Sequence, residues 1–102
     1  MFSKKQRYSF KKGLPGKVIS SPSFTLRYDK NDGEGVKTAV VVSKKVDKRA
    51  VVRNKLKRKV VEILKLDKLE DNNLNLVFYM KRSALDNEDL AKNIEEVLFK
   101  IK

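Results

Sequence analysis

Val36-Lys37-Thr38-Ala39-Val40-Val41-Val42-Ser43 runs through Lys44-Lys45-Val46-Asp47-Lys48 into Arg49-Ala50-Val51-Val52-Arg53-Asn54-Lys55-Leu56-Lys57-Arg58-Lys59-Val60-Val61-Glu62-Ile63-Leu64-Lys65-Leu66. The first segment is rich in β-branched residues and reads as a central strand. The second has a different period. Val52, Leu56, Val60, Ile63 and Leu64 fall within an arc of about 120° at 100° per residue, which predicts a helix over 49–66. Asn54, Lys55, Arg58 and Lys65 point away from that arc, and Arg53 and Lys57 flank it. A narrow apolar stripe thus anchors a helix whose outer surface is largely cationic. Asp71-Asn72-Asn73 breaks the pattern.

On the N-terminal side, Phe24-Thr25-Leu26-Arg27-Tyr28-Asp29 alternates apolar and polar, placing Phe24, Leu26 and Tyr28 on one face of a strand. Asn31-Asp32-Gly33-Glu34-Gly35 has turn composition, so a hairpin between this strand and the next is the simplest local expectation. Val18-Ile19 adds a short extended piece. Residues 1–17 form a basic arm that Gly13, Pro15 and Gly16 keep from becoming a long helix, with a turn of helix allowed around Lys4 to Phe10. Further on, Asn75 to Lys81 reads as a strand whose Val77-Phe78-Tyr79-Met80 core is apolar enough for burial on both sides. A last helix is expected after Asp86 as N-cap, with Glu88 and Asp89 in its first turn and Leu90, Ile94, Val97, Leu98 and Ile101 buried. The order β-β-α-β-α predicts one α+β domain over residues 1–102. Its mixed sheet carries a basic helix after the central strand and a C-terminal helix.

Composition removes whole classes of function. The 102 residues include 25 Lys+Arg, 13 Asp+Glu, no His and no Cys, for a net charge of +12. Without Cys there is no disulfide framework, thiolate nucleophile or Cys-based zinc site. Without His the usual general base near neutral pH is missing, and Ser20, Ser21 and Ser43 have nothing to activate them. Glycines are too sparse for a phosphate-cradling loop. Asp86, Glu88, Asp89, Glu95 and Glu96 belong to the start and wet side of one helix, and Asp67, Glu70 and Asp71 to a linker. They do not converge as a two-metal site requires, so no catalytic or metal-ligating residue is expected. No apolar run approaches the ~20 residues of a membrane span, and no secretory h-region follows Met1-Phe2-Ser3-Lys4-Lys5. A cytoplasmic protein is expected.

The charge is unevenly distributed. Residues 1–30 carry net +7, 31–43 net −1, 44–65 net +8 and 66–102 net −2. Two one-sided basic blocks in so small a domain point to a polyanion, and foremost to nucleic acid. Arg53, Lys57 and Arg58, with Lys55, are spaced to meet successive phosphates of a folded strand, Arg as a planar fork and Lys as a point charge. Asn54 either reads a base edge or ribose, or merely ends a turn in solvent. Lys44 and Lys45 sit in the loop feeding the helix, where anions often bind, although two solvated lysines read the same way. Tyr8 and Phe10 interleave with Lys4, Lys5, Arg7, Lys11 and Lys12. Such rings either stack unpaired RNA bases or anchor the arm in the core.

Val42-Ser43-Lys44-Lys45-Val46 followed by Ala50-Val51-Val52-Arg53-Asn54-Lys55-Leu56-Lys57-Arg58 resembles the signature of the bacterial ribonuclease P protein component. The resemblance continues through Leu76 to Met80 and Lys81-Arg82-Ser83-Ala84, and covers roughly residues 24–102. It implies an α-β sandwich with a left-handed β-α-β crossover, an exception to the usual right-handed rule. It also implies an auxiliary subunit that binds the ribonuclease P catalytic RNA and the single-stranded 5′ leader of precursor tRNA. Cleavage there depends on Mg²⁺ held mainly by the RNA. Arg53, Asn54, Lys57, Arg58, Lys44 and Lys45 match the motif, and Arg49 and Lys55 join them as candidate RNA-binding residues.

Three departures mark this chain. Lys55 replaces an Arg, losing a bidentate fork. Val61 stands where many members are basic, which shortens the cationic face by one contact. Lys12-Gly13-Leu14-Pro15-Gly16-Lys17 replaces the family's N-terminal aromatic segment, leaving Tyr8, Phe10 and Tyr28 as the candidates for leader contact, Tyr28 on the sheet's exposed face. The alternative is a small ribosomal or ribosome-associated RNA-binding protein. DNA is disfavoured because no partner helix precedes the basic one at helix-turn-helix spacing.

Overall fold

The computed structural model describes Tyr8 and residues 13–31, 33, 35–66 and 73–101. Four strands and two helices follow in order: β1 Lys17–Ser20, β2 Phe24–Lys30, β3 Lys37–Val41, α1 Ala50–Leu66, β4 Leu74–Met80 and α2 Leu90–Ile101, with a 3₁₀ turn over Arg82–Asp86 before α2. The sheet order is β1-β2-β4-β3. β1 and β4 each pair antiparallel with β2, and β3 pairs parallel with β4. This is the expected mixed sheet of an α+β domain.

Two expectations about the sheet fail together. β2 and β3 do not form a hairpin, because β4 lies between them, and β3 is an edge strand rather than the central one. The physical reason is the composition of β4. Leu76, Val77 and Phe78 are fully buried, and a strand apolar on both faces loses most by standing at an edge. The Asp-Gly turn signal reports that the chain bends but not which strand it bends toward. The loop instead crosses the start of β4 and is fastened there by asparagines. The Asn31 amide N–H donates to the Asn73 carbonyl at 3.0 Å, and Asn31 Nδ2 donates to Asn75 Oδ1 at 3.2 Å. Gly35, at φ 76°, turns its N–H onto Asn73 Oδ1 at 3.1 Å, a conformation that favours glycine.

Register assigns each side chain to a face. Phe24, Leu26 and Tyr28 of β2 stand opposite Met80, Phe78 and Leu76 of β4, and Val40 of β3 opposite Phe78. Leu56, Val60, Val61, Ile63 and Leu64 of α1 and Leu90, Ile94, Val97 and Leu98 of α2 join these in a single core cluster. Both helices therefore cover the same side of the sheet. The Phe24 and Phe78 rings meet at 5.6 Å, tilted by 55°. Val61 is only 3% exposed, so it belongs to the core and takes nothing from the cationic face, contrary to its expected place there. The buried stripe of α1 simply widens toward its C-terminus.

The opposite face carries Thr25, Arg27 and Asp29 of β2 with Tyr79, Val77 and Asn75 of β4. Two described residues ahead of β1, Tyr8 and Pro15, bond to the sheet. The Tyr8 amide donates to the Thr38 carbonyl on β3 at 3.0 Å, and Arg27 Nη1 donates to the Pro15 carbonyl at 3.3 Å. Pro15 is itself fully buried. The start of α2 also differs from expectation. Asp86 lies in the 3₁₀ turn, and Asn87 Oδ1 accepts from the Asp89 amide at 2.9 Å, so Glu88 and Asp89 precede the helix instead of forming its first turn. The expected linker carboxylates and the helical turn around Lys4 to Phe10 lie outside the described residues, as does Phe10 itself.

Candidate nucleic-acid interface

Val42-Ser43-Lys44-Lys45-Val46 has apolar residues at both ends, and local structure follows from that. Val46 is buried against the core at 4% exposure, and its amide donates back to the Ser43 carbonyl at 3.0 Å. A tight turn anchored this way pushes Lys44 and Lys45 outward, and both are exposed.

The start of α1 is built around Asp47. Its Oδ1 accepts the Arg49 amide at 2.8 Å and Arg49 Nε at 3.1 Å, while Oδ2 accepts Arg49 Nη2 at 2.9 Å. An aspartate bonding the backbone two residues on is the Asx turn that commonly starts a helix. These bonds, aided by nearby Arg82, hold the Asp47 carboxyl at a pKa of about 2. Arg53, one turn into the helix, donates from Nη1 to the carbonyls of Asp47 at 3.2 Å and Lys48 at 3.0 Å. Arg53 is thus half-buried and tied to the loop, not fully extended into solvent. The first turn of α1 has no acidic residue, so Asp47, just ahead of it, is the carboxylate at this end of the helix.

Further along α1, Asn54, Lys55 and Arg58 are exposed and Lys57 is half-buried, as the apolar stripe requires. Arg49 to Arg58 spans about 13 Å at 1.5 Å per residue, so the loop and the outer turns of α1 form one cationic surface from Lys44 to Arg58, with Lys55 and Lys57 on opposite flanks of the helix. Arg82, just after β4, reaches the same end of the sheet and acts electrostatically on Asp47. It stands apart from the basic block in sequence. The parallel pairing of β3 with β4 brings it in, and only knowledge of that pairing reveals it.

The aromatic candidates do not gather at this surface. Tyr28 lies on the helix-covered face, with Lys17 Nζ 5.8 Å from its ring centre, which corrects its expected place on the exposed face. The alternation of β2 already puts it with Phe24 and Leu26. Tyr8 lies over the open face, its hydroxyl donating to the Gly13 carbonyl at 2.6 Å. Its phenol pKa is raised, first by burial and then by Asp29 and Tyr79. Tyr79 itself is half-buried on that face. The same alternation in β4 separates it from Phe78 and identifies it.

Among the described residues, no three His, Cys, Asp or Glu are grouped so as to hold a metal ion. The carboxylate in the cationic loop is already engaged by Arg49, so these residues do not fit a protein-held Mg²⁺. No described helix is long and apolar enough to cross a membrane.

A four-stranded mixed sheet backed by two helices, with basic residues running from a strand-helix loop onto the helix, defines a small α+β protein with a strongly cationic loop and helix surface. The profile of the Ribonuclease P family matches residues 3–102, and the chain belongs to that family. The ribonuclease P protein component of Marinomonas sp. (strain MWYL1) is 35% identical over 80 residues, covering 76% of this chain and 61% of that protein. The one from Pseudoalteromonas translucida (strain TAC 125) is 34% identical over 85 residues, covering 80% and 60%. This chain therefore spans about 60% of the length of these curated relatives. The Staphylococcus aureus RNase P protein shares the fold at a TM-score of 0.69 and 27% identity, with 84% of this chain and 80% of that one aligned.

Proposed function

We propose that this protein is the RNA-binding subunit of ribonuclease P, acting in the cytoplasm to assist endonucleolytic removal of the 5′ leader from precursor tRNA. The observation that carries the reading is the cationic surface formed by Lys44, Lys45, Arg49, Lys55, Lys57 and Arg58 on one loop and the helix it feeds, in a member of this family. Folded RNA phosphates bind along that surface, with Asn54 placed among them as a donor and acceptor. Arg53 supports the loop through its carbonyl bonds while adding its charge.

The chemistry of cleavage belongs to the RNA partner and to the Mg²⁺ that the RNA holds. This chain contributes binding and orientation. The unpaired leader passes along the helix-free side of the sheet, beside the covered Val77, where Tyr8 and Tyr79 offer rings and Arg27 a charge. Tyr28, covered from the helix side, takes no part.

The test incubates precursor tRNA and Mg²⁺ with the purified protein, with the cognate ribonuclease P RNA, or with both, at near-physiological salt. Faster cleavage only with both supports the subunit reading. Unchanged cleavage despite tight RNA binding refutes it. Cleavage by the protein alone would refute the assignment of chemistry to the RNA.

A further inference from the structure

Asp47 is a carboxylate in the middle of the cationic surface, where simple charge counting says it should hinder RNA binding. Its geometry says otherwise. The side chain is 16% exposed while its partner Arg49 is 75% exposed, so the carboxylate sits beneath the guanidinium. Oδ1 and Oδ2 take Arg49 Nε and Nη2, and Oδ1 also takes the Arg49 amide. The ion pair occupies the Nε edge of the guanidinium. It leaves the opposite edge, both Nη1 hydrogens and the second Nη2 hydrogen, facing away from the carboxylate as a second fork. The backbone of the same turn is held from the other side by Arg53 Nη1 on the carbonyls of Asp47 and Lys48. Arg49 is therefore a long, exposed side chain whose guanidinium is tied by two hydrogen bonds to the turn at the helix start. A pre-oriented fork loses less freedom on meeting a phosphate than a free one.

We propose that Asp47 is a positioning residue for RNA binding: it aims the Arg49 guanidinium at a phosphate, and strengthens binding although it subtracts a charge. The proposal rests on the RNA-binding reading above and assigns Asp47 no contact with RNA.

The opposite signs of the two expectations make the test decisive. Affinity of the full chain for the ribonuclease P RNA from the same genome is measured by filter binding across a salt series. The variants are D47A, D47N, R49A and the double D47A/R49A. D47A raises the net charge by one from +12, so charge counting expects tighter binding. The positioning role expects about three- to tenfold weaker binding for D47A. D47N keeps an acceptor for the Arg49 amide and Nε and should recover part of the loss. R49A should flatten the salt dependence by about one phosphate contact. In the R49A background D47A should cause no further loss, since Asp47 acts through Arg49. D47A or D47N binding as tightly as the wild type, or an additive loss in the double variant, overturns the proposal. If thermal melting shows D47A unfolded, the D47N and R49A comparison decides alone. Wild-type protein that fails to bind the RNA defeats the underlying reading and this inference with it; wild-type binding with D47A unimpaired defeats this inference only.

Discussion

The two helices cover the same face of the same sheet and bury similar stripes, yet they present opposite surfaces. On α1, Leu56, Val60, Val61, Ile63 and Leu64 face the core, while Asn54, Lys55, Arg58 and Lys59 face solvent. On α2, Leu90, Ile94, Val97 and Leu98 face the core, while Lys92, Glu95, Glu96, Phe99 and Lys100 face solvent. Packing asks the same of both, so the inner stripes are alike. The difference on the outside is therefore not needed by the fold. One helix carries mixed charge, as an ordinary solvated surface does, and the other is overwhelmingly cationic, with Glu62 as the one exposed acid among its described residues.

The largest effect should come from what the helices share. Phe78→Ala removes a fully buried ring that stands opposite Leu26 and Val40 and packs on Phe24. Chemical denaturation should show a loss of about 3–5 kcal/mol, a large part of the stability of a domain this size. A loss near 1 kcal/mol would mean that the core is less continuous than the single cluster implies.

The next effect separates the two surfaces. If about six phosphates are neutralised along the cationic surface, affinity for RNA should fall by roughly two to three decades between about 50 and 200 mM salt. Arg58→Ala should weaken binding about three- to tenfold and flatten that dependence by about one contact. Lys100→Ala on α2 removes the same charge from the protein and should leave both unchanged. Equal losses in the two variants would mean that net charge alone, not the face of α1, attracts the RNA.

This contrast was largely legible in the sequence, because helical periodicity records which side chains leave the core. Arg53 and Lys57 flank the stripe of α1, and the structure shows both half-buried. The stripe of α2 likewise matches its sequence pattern. What periodicity does not record is pairing. β2 and β3 both read as strands, but the apolarity of β4 on both faces decides the order, and a turn signal carries no information about it. The same gap hid Arg82, which joins the cationic surface only through the parallel pairing of β3 with β4. Val61 and Tyr28 are different cases: the surface place of Val61 came from the family's pattern, and the alternation of β2 already put Tyr28 with the core residues Phe24 and Leu26. Asp47 was legible only as a subtraction from the charge, because its value depends on the side chain it bonds.

The smallest effect concerns how each helix begins. The start of α1 is held by a carboxylate, Asp47 on the Arg49 amide, and that of α2 by a neutral amide, Asn87 on the Asp89 amide. Asp47 has its pKa lowered from 3.8 to about 2 by Arg49. A carboxyl depressed in the folded state stabilises fully above its unfolded pKa, and that contribution disappears as pH falls through the folded value. The start of α1 should therefore loosen between about pH 4 and 2, while the Asn87 amide that holds the start of α2 is neutral and keeps its bond. Two amides report the difference, Arg53 bonded to the Arg49 carbonyl and Asn93 bonded to the Asp89 carbonyl. Hydrogen-exchange protection at Arg53 should drop across that interval relative to Asn93. Parallel losses at both would show general acid unfolding and remove Asp47 as the group that sets the start of α1.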